Sequence, residues 1–249
     1  MDKMPPACVG DVLLTFGRGA QGLPARLDGQ PWRAQIEQGE WTLSDTATGA
    51  GWAGMPCETG RTGPLRWWVL GELYGIDARA LLTDLAEDAR AAVKINGHAL
   101  LLAWDEAARQ WHIWTDRFGS LHAYHTRGAL GTFSPAVAAA ASSRSLDWIG
   151  LAGFFANGFF PAARTHYQEV SILPPASHTV LDAQGGLVRQ TRYWDWHYQP
   201  DAGRSFSASV DAFAQVFHCV INEQTRGRAV AFPISGGLDS RSTIAALGE

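Results

Sequence analysis

Residues 98–115, HALLLAWDEAARQWHIWT, contain two apolar runs on either side of the polar stretch DEAARQ. Apolar runs joined by a short polar segment are typical of paired strands, so we predict a β-hairpin at the centre of a sheet. Similar apolar runs flank this hairpin at residues 9–17, 66–75 and 121–126. Because successive strand residues face opposite sides, the Trp67-Trp68 pair predicts a sheet that is covered on both faces.

Three helices are predicted among these strands. The segment 76–93 carries apolar residues at helical intervals and has Asp77 as its predicted N-cap. Residues 134–143 and 147–160 form the other two helices, and DWIGLAGFFANGFF at 147–160 is so apolar that we expect it to be mostly buried. Strands and helices in separate segments predict an α+β fold for this part of the chain.

The chain is predicted to change domain near residue 200. A pair of strands at 166–196, with its turn at Gln184–Gly186, is the last predicted element before this point. The composition shifts near Tyr198, and turn-forming residues then mark a linker: Pro200, Asp201, Gly203 and Ser205. We therefore predict a first domain at 1–200 and a second that begins at 201–249.

The second domain is predicted to begin a parallel α/β sheet. A helix at 207–224, capped by Ser207, precedes a short buried strand, RAVAFPI, at 228–234. The glycine loop SGGLDS at 235–240 leads into another helix. Helix, strand, glycine loop and helix in this order are typical of the first unit of such a sheet.

The loop SGGLDS is the candidate binding site, because phosphates bind where a strand ends and a helix begins. Gly236 and Gly237 lack side chains, so the backbone can turn sharply and point N–H groups at an anion. Ser235 and Ser240 can donate hydroxyls to phosphate oxygens, and the carboxylate of Asp239 beside them indicates a Mg²⁺ ion. The loop has no Lys, so it is not the GxxxxGK[ST] loop. A glycine turn with a Ser or Asp cap is the structural alternative.

Composition limits the classes of function. Lys and Arg total 20 against 24 Asp and Glu, so the chain lacks the positive charge that binding a phosphate backbone requires. It has no apolar run of membrane-spanning length, and its N-terminus lacks the basic and apolar regions of a signal peptide. We therefore expect a soluble, cytoplasmic chain that contacts neither nucleic acid nor membrane.

Cysteine and tryptophan usage gives two further expectations. Cys8, Cys57 and Cys219 are odd in number and widely spaced, which indicates reduced thiols rather than disulfides or a metal site. The 11 Trp lie mostly among apolar neighbours, so we interpret them as core residues, with an aromatic ligand platform as the alternative.

SGGLDSR after RAVAFPI resembles the pyrophosphate loop of the asparagine synthetase family. Further segments resemble that family in the same order: LGELYG (70–75), the hairpin with DRFGSLHAYH (116–125), ILPPASHTVLD (172–182) and RYWDW (192–196). The resemblance runs from about residue 65 to the end of the chain. It implies an Ntn-hydrolase-like domain of layered sheets and helices, followed by the start of a parallel α/β ATP-pyrophosphatase domain.

The resemblance also implies that glutamine hydrolysis has been lost. In glutamine-using members of the family, the nucleophile is the Cys after the initiator Met, and here Asp2 holds that place. Cys8 would become N-terminal only if the first seven residues were removed. Leu70 replaces the family's oxyanion-hole Asn, and leucine cannot donate a hydrogen bond. No catalytic residue is identified in this domain, as in β-lactam synthetases and lasso-peptide cyclases.

The implied activity is that of an ATP-dependent ligase that converts a carboxylate into an acyl-adenylate and forms an amide, with an internal amine as the attacking group. Ser235–Ser240 would bind pyrophosphate with Mg²⁺ at Asp239, and the backbone of Ile234 would lie near the adenosine. The expected substrate is a carboxylate-bearing small molecule or peptide, and a biosynthetic partner protein stays open. The family's amide-forming groups follow the loop, so we expect this chain to be an N-terminal portion that binds ATP weakly and is inactive alone.

Two alternatives stay open. The first is an asparagine synthetase that uses ammonia, or glutamine after processing at Cys8, and the second is a non-catalytic binding module. His122 and His125 are three residues apart in a predicted strand and face opposite sides, so no shared metal is expected. Asp116 and Arg117 are interpreted as a structural turn or salt bridge rather than as catalytic groups.

Overall fold

The computed structural model of the chain describes residues 7–17, 32–37, 40–46, 55–132, 134–139 and 145–247. Its contacts divide the chain into unit 1, Met1–Asp195, and unit 2, Trp196–Glu249. This division lies close to the predicted boundary between residues 200 and 201. Asp2, which holds the place of the family's nucleophile, lies outside the described residues. The side chain of Cys8 is not among the described side chains either.

The described part of unit 1 contains thirteen strands, three α-helices and a short 3₁₀ helix. The strands are β1 (Ala7–Val9), β2 (Val12–Phe16), β3 (Trp32–Glu37), β4 (Trp41–Thr46), β5 (Met55–Thr62), β6 (Leu65–Leu73), β7 (Gly97–Asp105), β8 (Gln110–Thr115), β9 (Tyr124–Thr126), β10 (Ala129–Gly131), β11 (Ser171–Ile172), β12 (Ser177–Asp182) and β13 (Leu187–Arg192). The helices of unit 1 are α1 (Ala78–Glu87), the 3₁₀ helix (Ala89–Lys94), α2 (Ser134–Ala139) and α3 (Trp148–Asn157). Unit 2 contains α4 (Phe206–Thr225) and α5 (Leu238–Leu247).

The strands form two sheets in which all pairs are antiparallel. One sheet has the order β1-β5-β6-β7-β8-β12-β13, and the other has the order β11-β9-β10-β2-β4-β3. The predicted hairpin is confirmed as β7 and β8, and β7 is the central strand of the seven-stranded sheet. Antiparallel sheets with separate helices confirm the α+β class. None of the helices in the described part of the chain has the length and apolar character needed to cross a membrane.

Unit 1 is a stack of four layers, because three clusters of buried residues join its elements. The largest cluster lies between the two sheets and includes Leu14 and Trp41 from one and Trp68 from the other. A second cluster joins the seven-stranded sheet to α1 and includes Trp67 and Leu81. A third joins the six-stranded sheet to α2. Trp67 and Trp68 thus lie on opposite faces of one covered sheet, as predicted.

Six tryptophans fill these interior layers, which confirms their interpretation as core residues: Trp41, Trp67, Trp68, Trp104, Trp111 and Trp114. Four of them meet between the sheets. The ring centroid of Trp41 lies 4.7 Å from that of Trp111, 5.5 Å from that of Trp104 and 6.3 Å from that of Trp68, in edge-to-face arrangements. Trp148 and Trp196 differ, since both side chains are exposed.

The helix predicted at 76–93 forms in two parts, α1 at Ala78–Glu87 and the 3₁₀ helix at Ala89–Lys94. The Asp77 side chain accepts a hydrogen bond from the backbone N–H of Ala80 at 3.1 Å, which confirms it as the N-cap. The helix ends at Asp88, which caps the 3₁₀ helix that follows. For α4 the predicted cap is wrong, because Ser205 rather than Ser207 accepts the first-turn hydrogen bond, from the N–H of Ala208 at 3.2 Å.

The prediction that residues 147–160 are mostly buried is wrong. Helix α3 forms there, but Gly150 is its only buried residue, and the side chains of Trp148, Ile149 and Phe155 are 71%, 65% and 82% exposed. Apolar composition predicts burial only where another element covers the helix. No described element covers this face of α3.

The predicted strand RAVAFPI is also wrong, because residues 228–234 form no strand. A strand exists only where a second one accepts and donates its backbone hydrogen bonds. The described residues of unit 2 contain no other strand, so the predicted parallel sheet is absent from them. Helix α4 contacts α5. It has no buried residue, and its apolar side chains, including Phe213 and Val220, are exposed.

Candidate functional site

The segment Ser235–Ser240 leads into α5 and includes its first three residues, as predicted for the helix side of this loop. The strand predicted to precede the loop does not form. The hydroxyls of Ser235 and Ser240 lie 3.1 Å apart. The N–H of Gly237 donates to Ser235 Oγ at 3.2 Å, and the N–H of Ser235 donates to Ser240 Oγ at 3.2 Å. The structure therefore brings both predicted hydroxyl donors together at the start of one helix.

The chain bends at Gly236 and Gly237, as predicted. Neither Gly236 nor Gly237 adopts the left-handed conformation that requires glycine. A Cβ on Gly236 would meet no atom within 4 Å, whereas one on Gly237 would lie 3.3 Å from Ser235 Oγ. The absent side chain at Gly236 thus leaves open space beside the backbone, where a ligand atom can approach.

Helix α5 adds a favourable field at this position. Its first four N–H groups have no acceptor within the helix, because the residues that would accept their bonds precede it. These unpaired dipoles place partial positive charge at the end of α5 that faces the loop. An anion bound by Ser235 and Ser240 would therefore be stabilised by the backbone as well as by the hydroxyls.

Asp239 lies in the first turn of α5, with its carboxylate exposed. Among the described residues, no group of three or more His, Cys, Asp or Glu is placed to hold a metal ion. One carboxylate with phosphate oxygens and water is a donor set that Mg²⁺ accepts. The residues therefore fit a magnesium ion that arrives with a phosphate, and Asp239 is the group that would hold it. Ile234, the predicted adenosine neighbour, has an exposed side chain.

Arg241 is a candidate ligand contact that the sequence analysis missed. Its Nε donates to the carbonyl oxygen of Gly237 at 3.3 Å, which keeps the guanidinium beside the loop. A fixed positive charge at this place favours an anion. The sequence signal was available, because residues four apart lie on the same face of a helix.

Leu70 belongs to unit 1, whereas the loop belongs to unit 2. Its side chain is fully buried between the two sheets, and within the seven-stranded sheet the residue lies opposite Cys57 on β5 and Leu100 on β7. An apolar core environment of this kind offers an oxyanion no donor from the Leu70 side chain.

Asp116 stabilises a turn, which confirms the structural interpretation of this residue. Its buried carboxylate accepts hydrogen bonds from the backbone N–H groups of Ala99, Phe118 and Ser120 at 3.2, 2.9 and 3.0 Å. Arg117 donates from Nη2 to the backbone carbonyl oxygen of Val93 at 2.8 Å.

The two predicted strand histidines lie in different environments. His125 belongs to β9 and lies 3.1 Å from the carbonyl oxygen of Gly185, whereas His122 precedes the strand and is exposed. The predicted strand at 121–126 therefore forms only over its last three residues. Among the described residues, neither imidazole belongs to a group of side chains that could hold a metal ion.

Comparison with known proteins gives no family assignment. No family model matches the chain. No curated protein matches it either.

Proposed function

We propose that this chain belongs to an asparagine-synthetase-like, ATP-dependent ligase that activates a carboxylate as its acyl-adenylate, releases pyrophosphate and forms an amide. The observation that carries the proposal is the pair of hydroxyls, Ser235 and Ser240, held 3.1 Å apart at the start of α5. Hydroxyls and unpaired helix N–H groups are the donors that a pyrophosphate group needs.

The chemistry assigned to this loop is the stabilisation of a leaving group. A carboxylate accepts an amine poorly until it is joined to AMP, and that step requires pyrophosphate to leave. ATP supplies the adenylyl group, and the pyrophosphate charge would be shared among the Ser235 and Ser240 hydroxyls, the N-terminal N–H groups of α5 and Arg241. Asp239 would hold the magnesium ion that accompanies the phosphates.

The proposed ligase does not hydrolyse glutamine. Leu70 supports this part of the proposal, because its buried aliphatic side chain has no hydrogen to donate to an oxyanion. With no ammonia produced, the attacking amine would belong to the substrate itself. The favoured product is therefore a cyclised peptide or a lactam.

Binding of magnesium pyrophosphate tests the loop assignment directly. We expect Ser240→Ala to weaken the affinity of the chain about 10- to 100-fold in isothermal titration calorimetry, because a hydrogen bond to a charged group contributes about 1.5–3 kcal/mol. Ser242→Ala is the matched control, since this serine lies on the same helix with an exposed side chain. Equal affinities for the two variants would contradict the assignment.

A variant of Asp239 distinguishes binding of the metal from binding of the anion. We expect Asp239→Asn to weaken pyrophosphate binding in the presence of Mg²⁺ and to leave it unchanged or stronger in EDTA. Ser240→Ala should weaken binding in both conditions. An Asp239→Asn variant that binds magnesium pyrophosphate like the wild type would remove the magnesium contact from the proposal.

Substrate preference separates this ligase from an asparagine synthetase. Release of pyrophosphate from ATP by the protein should depend on a carboxylate peptide that carries its own amine. Aspartate with ammonia should give no release above background. The reverse preference would favour asparagine synthesis.

A non-catalytic binding module is the second candidate, and exposed α3 favours it. Trp148, Ile149 and Phe155 form an apolar surface that a partner would cover. Pyrophosphate binding without any carboxylate-dependent release, by a chain that contains every domain of the protein, would support this candidate over the ligase.

A further inference from the structure

Two histidines on neighbouring strands share a hydrogen bond inside unit 1. His112 on β8 and His178 on β12 place Nδ1 and Nε2 3.0 Å apart. Their ring centroids are 5.1 Å apart, so the rings meet through the edges that carry these nitrogens. An N–H···N bond needs one proton between the two nitrogens, and a proton on each of them would set two N–H groups against one another.

The pair lies on the face of the seven-stranded sheet that packs against α1. His178 is only 5% exposed, and its ring stacks on Trp114 with centroids 4.5 Å apart and planes 9° apart. His112 is half-buried beside it, with ring planes 20° from Trp114. Water therefore has little access to either ring, and a charge on the pair would be poorly solvated.

The charged groups around the pair give little compensation for added protons. Arg189 on β13 disfavours the imidazolium form of both rings, whereas Asp105 on β7 favours it at His112. Asp182 on β12 is engaged in the β12–β13 turn, where it accepts hydrogen bonds from the N–H groups of Gln184 and Gly186 at 2.9 and 2.8 Å. The favourable effect of Asp105 on the imidazolium form of His112 is thus opposed by the positive charge of Arg189.

We propose that the His112–His178 pair is an acid-sensitive latch that holds β12 against β8 and opens that seam when both imidazoles take a proton. This seam is the pairing of β8 with β12. It separates β12 and β13, the last two strands at one edge, from the rest of the seven-stranded sheet. All residues of β13 are exposed, so β12 carries the attachment of this hairpin. Opening would release β12 and β13 together while β5, β6 and β7 stay paired.

The direction of the pH effect follows from the two states of the latch. Burial lowers the pKa of His178 from 6.5 to about 3 in the closed state, with His112 and Arg189 adding to the shift, and burial also lowers the pKa of His112. In the open state each imidazole titrates near its ordinary value. Stability of the seam is therefore fully present above pH 6.5 and is lost as the pH falls below it.

Contacts of β12 and β13 other than the histidine pair keep opening of the seam rare at neutral pH. Val180 and Leu181 on β12 are buried, and the hydroxyl of Tyr193 donates to the carbonyl oxygen of Thr115 at 2.7 Å. At about pH 4.5, two units below 6.5, protonation of an opened His178 alone would raise the opening equilibrium about 100-fold. The seam would therefore open transiently in acid before unit 1 unfolds.

Hydrogen exchange of the wild-type chain tests the latch. After correction for the intrinsic effect of pH, we expect backbone amides of β12 and β13 to open up to about 100-fold more often at about pH 4.5 than at about pH 7, while β6 and β7 stay unchanged. Equal opening of β12 at both pH values would overturn the proposal. A common increase in all four strands would also overturn it, since that result indicates global unfolding.

A matched pair of variants isolates the imidazole. His178→Phe keeps an aromatic ring on Trp114 and cannot take a proton, so the pH dependence of β12 exchange should fall to the part that His112 contributes. His122→Phe removes an exposed histidine, and β12 exchange should keep its full pH dependence in this variant. NMR titration of the wild-type imidazoles gives a result that does not depend on either variant folding: midpoints near 6.5 for both His112 and His178 in the folded chain would contradict the latch.

Discussion

Close approach of β6 and β7 depends on two glycines, one on each strand. Gly71 has φ +88°, and a Cβ there would lie 2.1 Å from the carbonyl oxygen of His98. Gly97 has φ +145°, and a Cβ there would lie 2.1 Å from the carbonyl oxygen of Glu72. Both contacts are with backbone atoms, which cannot move aside without breaking the ladder.

Replacing Gly71 therefore carries two separate penalties. We expect Gly71→Ala to lower the free energy of unfolding by about 2–6 kcal/mol, because left-handed strain and overpacking each cost about 1–3 kcal/mol. Gly63→Ala is the control, since Gly63 also has positive φ but has open space around its Cβ position. Urea unfolding should show a larger loss for Gly71→Ala, and similar losses would mean that the contact with His98 is relieved.

At single positions, the sequence predicted which residues lie together better than it predicted what each residue does. Ser235 and Ser240 converge as predicted because both flank the start of one helix. Gly236 lies in a bend of the chain, as predicted, but it reaches this bend without a positive φ, and its missing side chain leaves open space. Conformation at a glycine depends on the chain around it, which the residue type does not specify.

Among the elements, α1 could be predicted and the strands that precede β6 mostly could not. Helix α1 combines apolar periodicity with an N-cap, and both signals are local. Strands β3, β4 and β5 were missed because WRAQIE, WTLSDT and MPCETGRT contain no continuous apolar run. For β3 a signal was nevertheless available, because WRAQIE alternates apolar and polar residues, which is typical of a strand. Helix α3 was predicted to be buried from its composition, but burial depends on a neighbouring element that composition does not identify.

The cap of α1 can be tested at the scale of this element. We expect Asp77→Ala to lower the free energy of unfolding by about 1 kcal/mol, because the N–H of Ala80 loses its acceptor. Asp77→Ser keeps an acceptor oxygen and should retain most of the stability. Thermal unfolding should rank the proteins wild type, Asp77→Ser and Asp77→Ala, and an Asp77→Ala variant as stable as the wild type would show that the cap contributes nothing.

For the whole molecule, the distribution of buried residues separates the two units. All three core clusters lie within unit 1. In unit 2, α4 has no buried residue and Ala246 is the only buried residue of α5. The free energy of burial that stabilises the described structure therefore comes mainly from residues before Trp196.

Unit 1 should consequently fold without unit 2. We expect a protein that ends at Asp195 to keep the melting temperature of unit 1 within about 2–4 °C, the shift that about 1 kcal/mol produces in a domain of this size. Ending the chain at Gln190 instead removes the Tyr193 hydroxyl bond to Thr115 and part of β13, so the melting temperature should fall further. Failure of the longer protein to fold would mean that unit 2 contributes to this core.

The four tryptophans between the sheets also give the protein an optical property. Trp41 belongs to the six-stranded sheet, whereas Trp68, Trp104 and Trp111 belong to the seven-stranded sheet. Indole rings at these edge-to-face separations couple their electronic transitions, and the coupling depends strongly on distance and angle. Far-ultraviolet circular dichroism should therefore contain an exciton couplet that reports how the two sheets stack, without any added label.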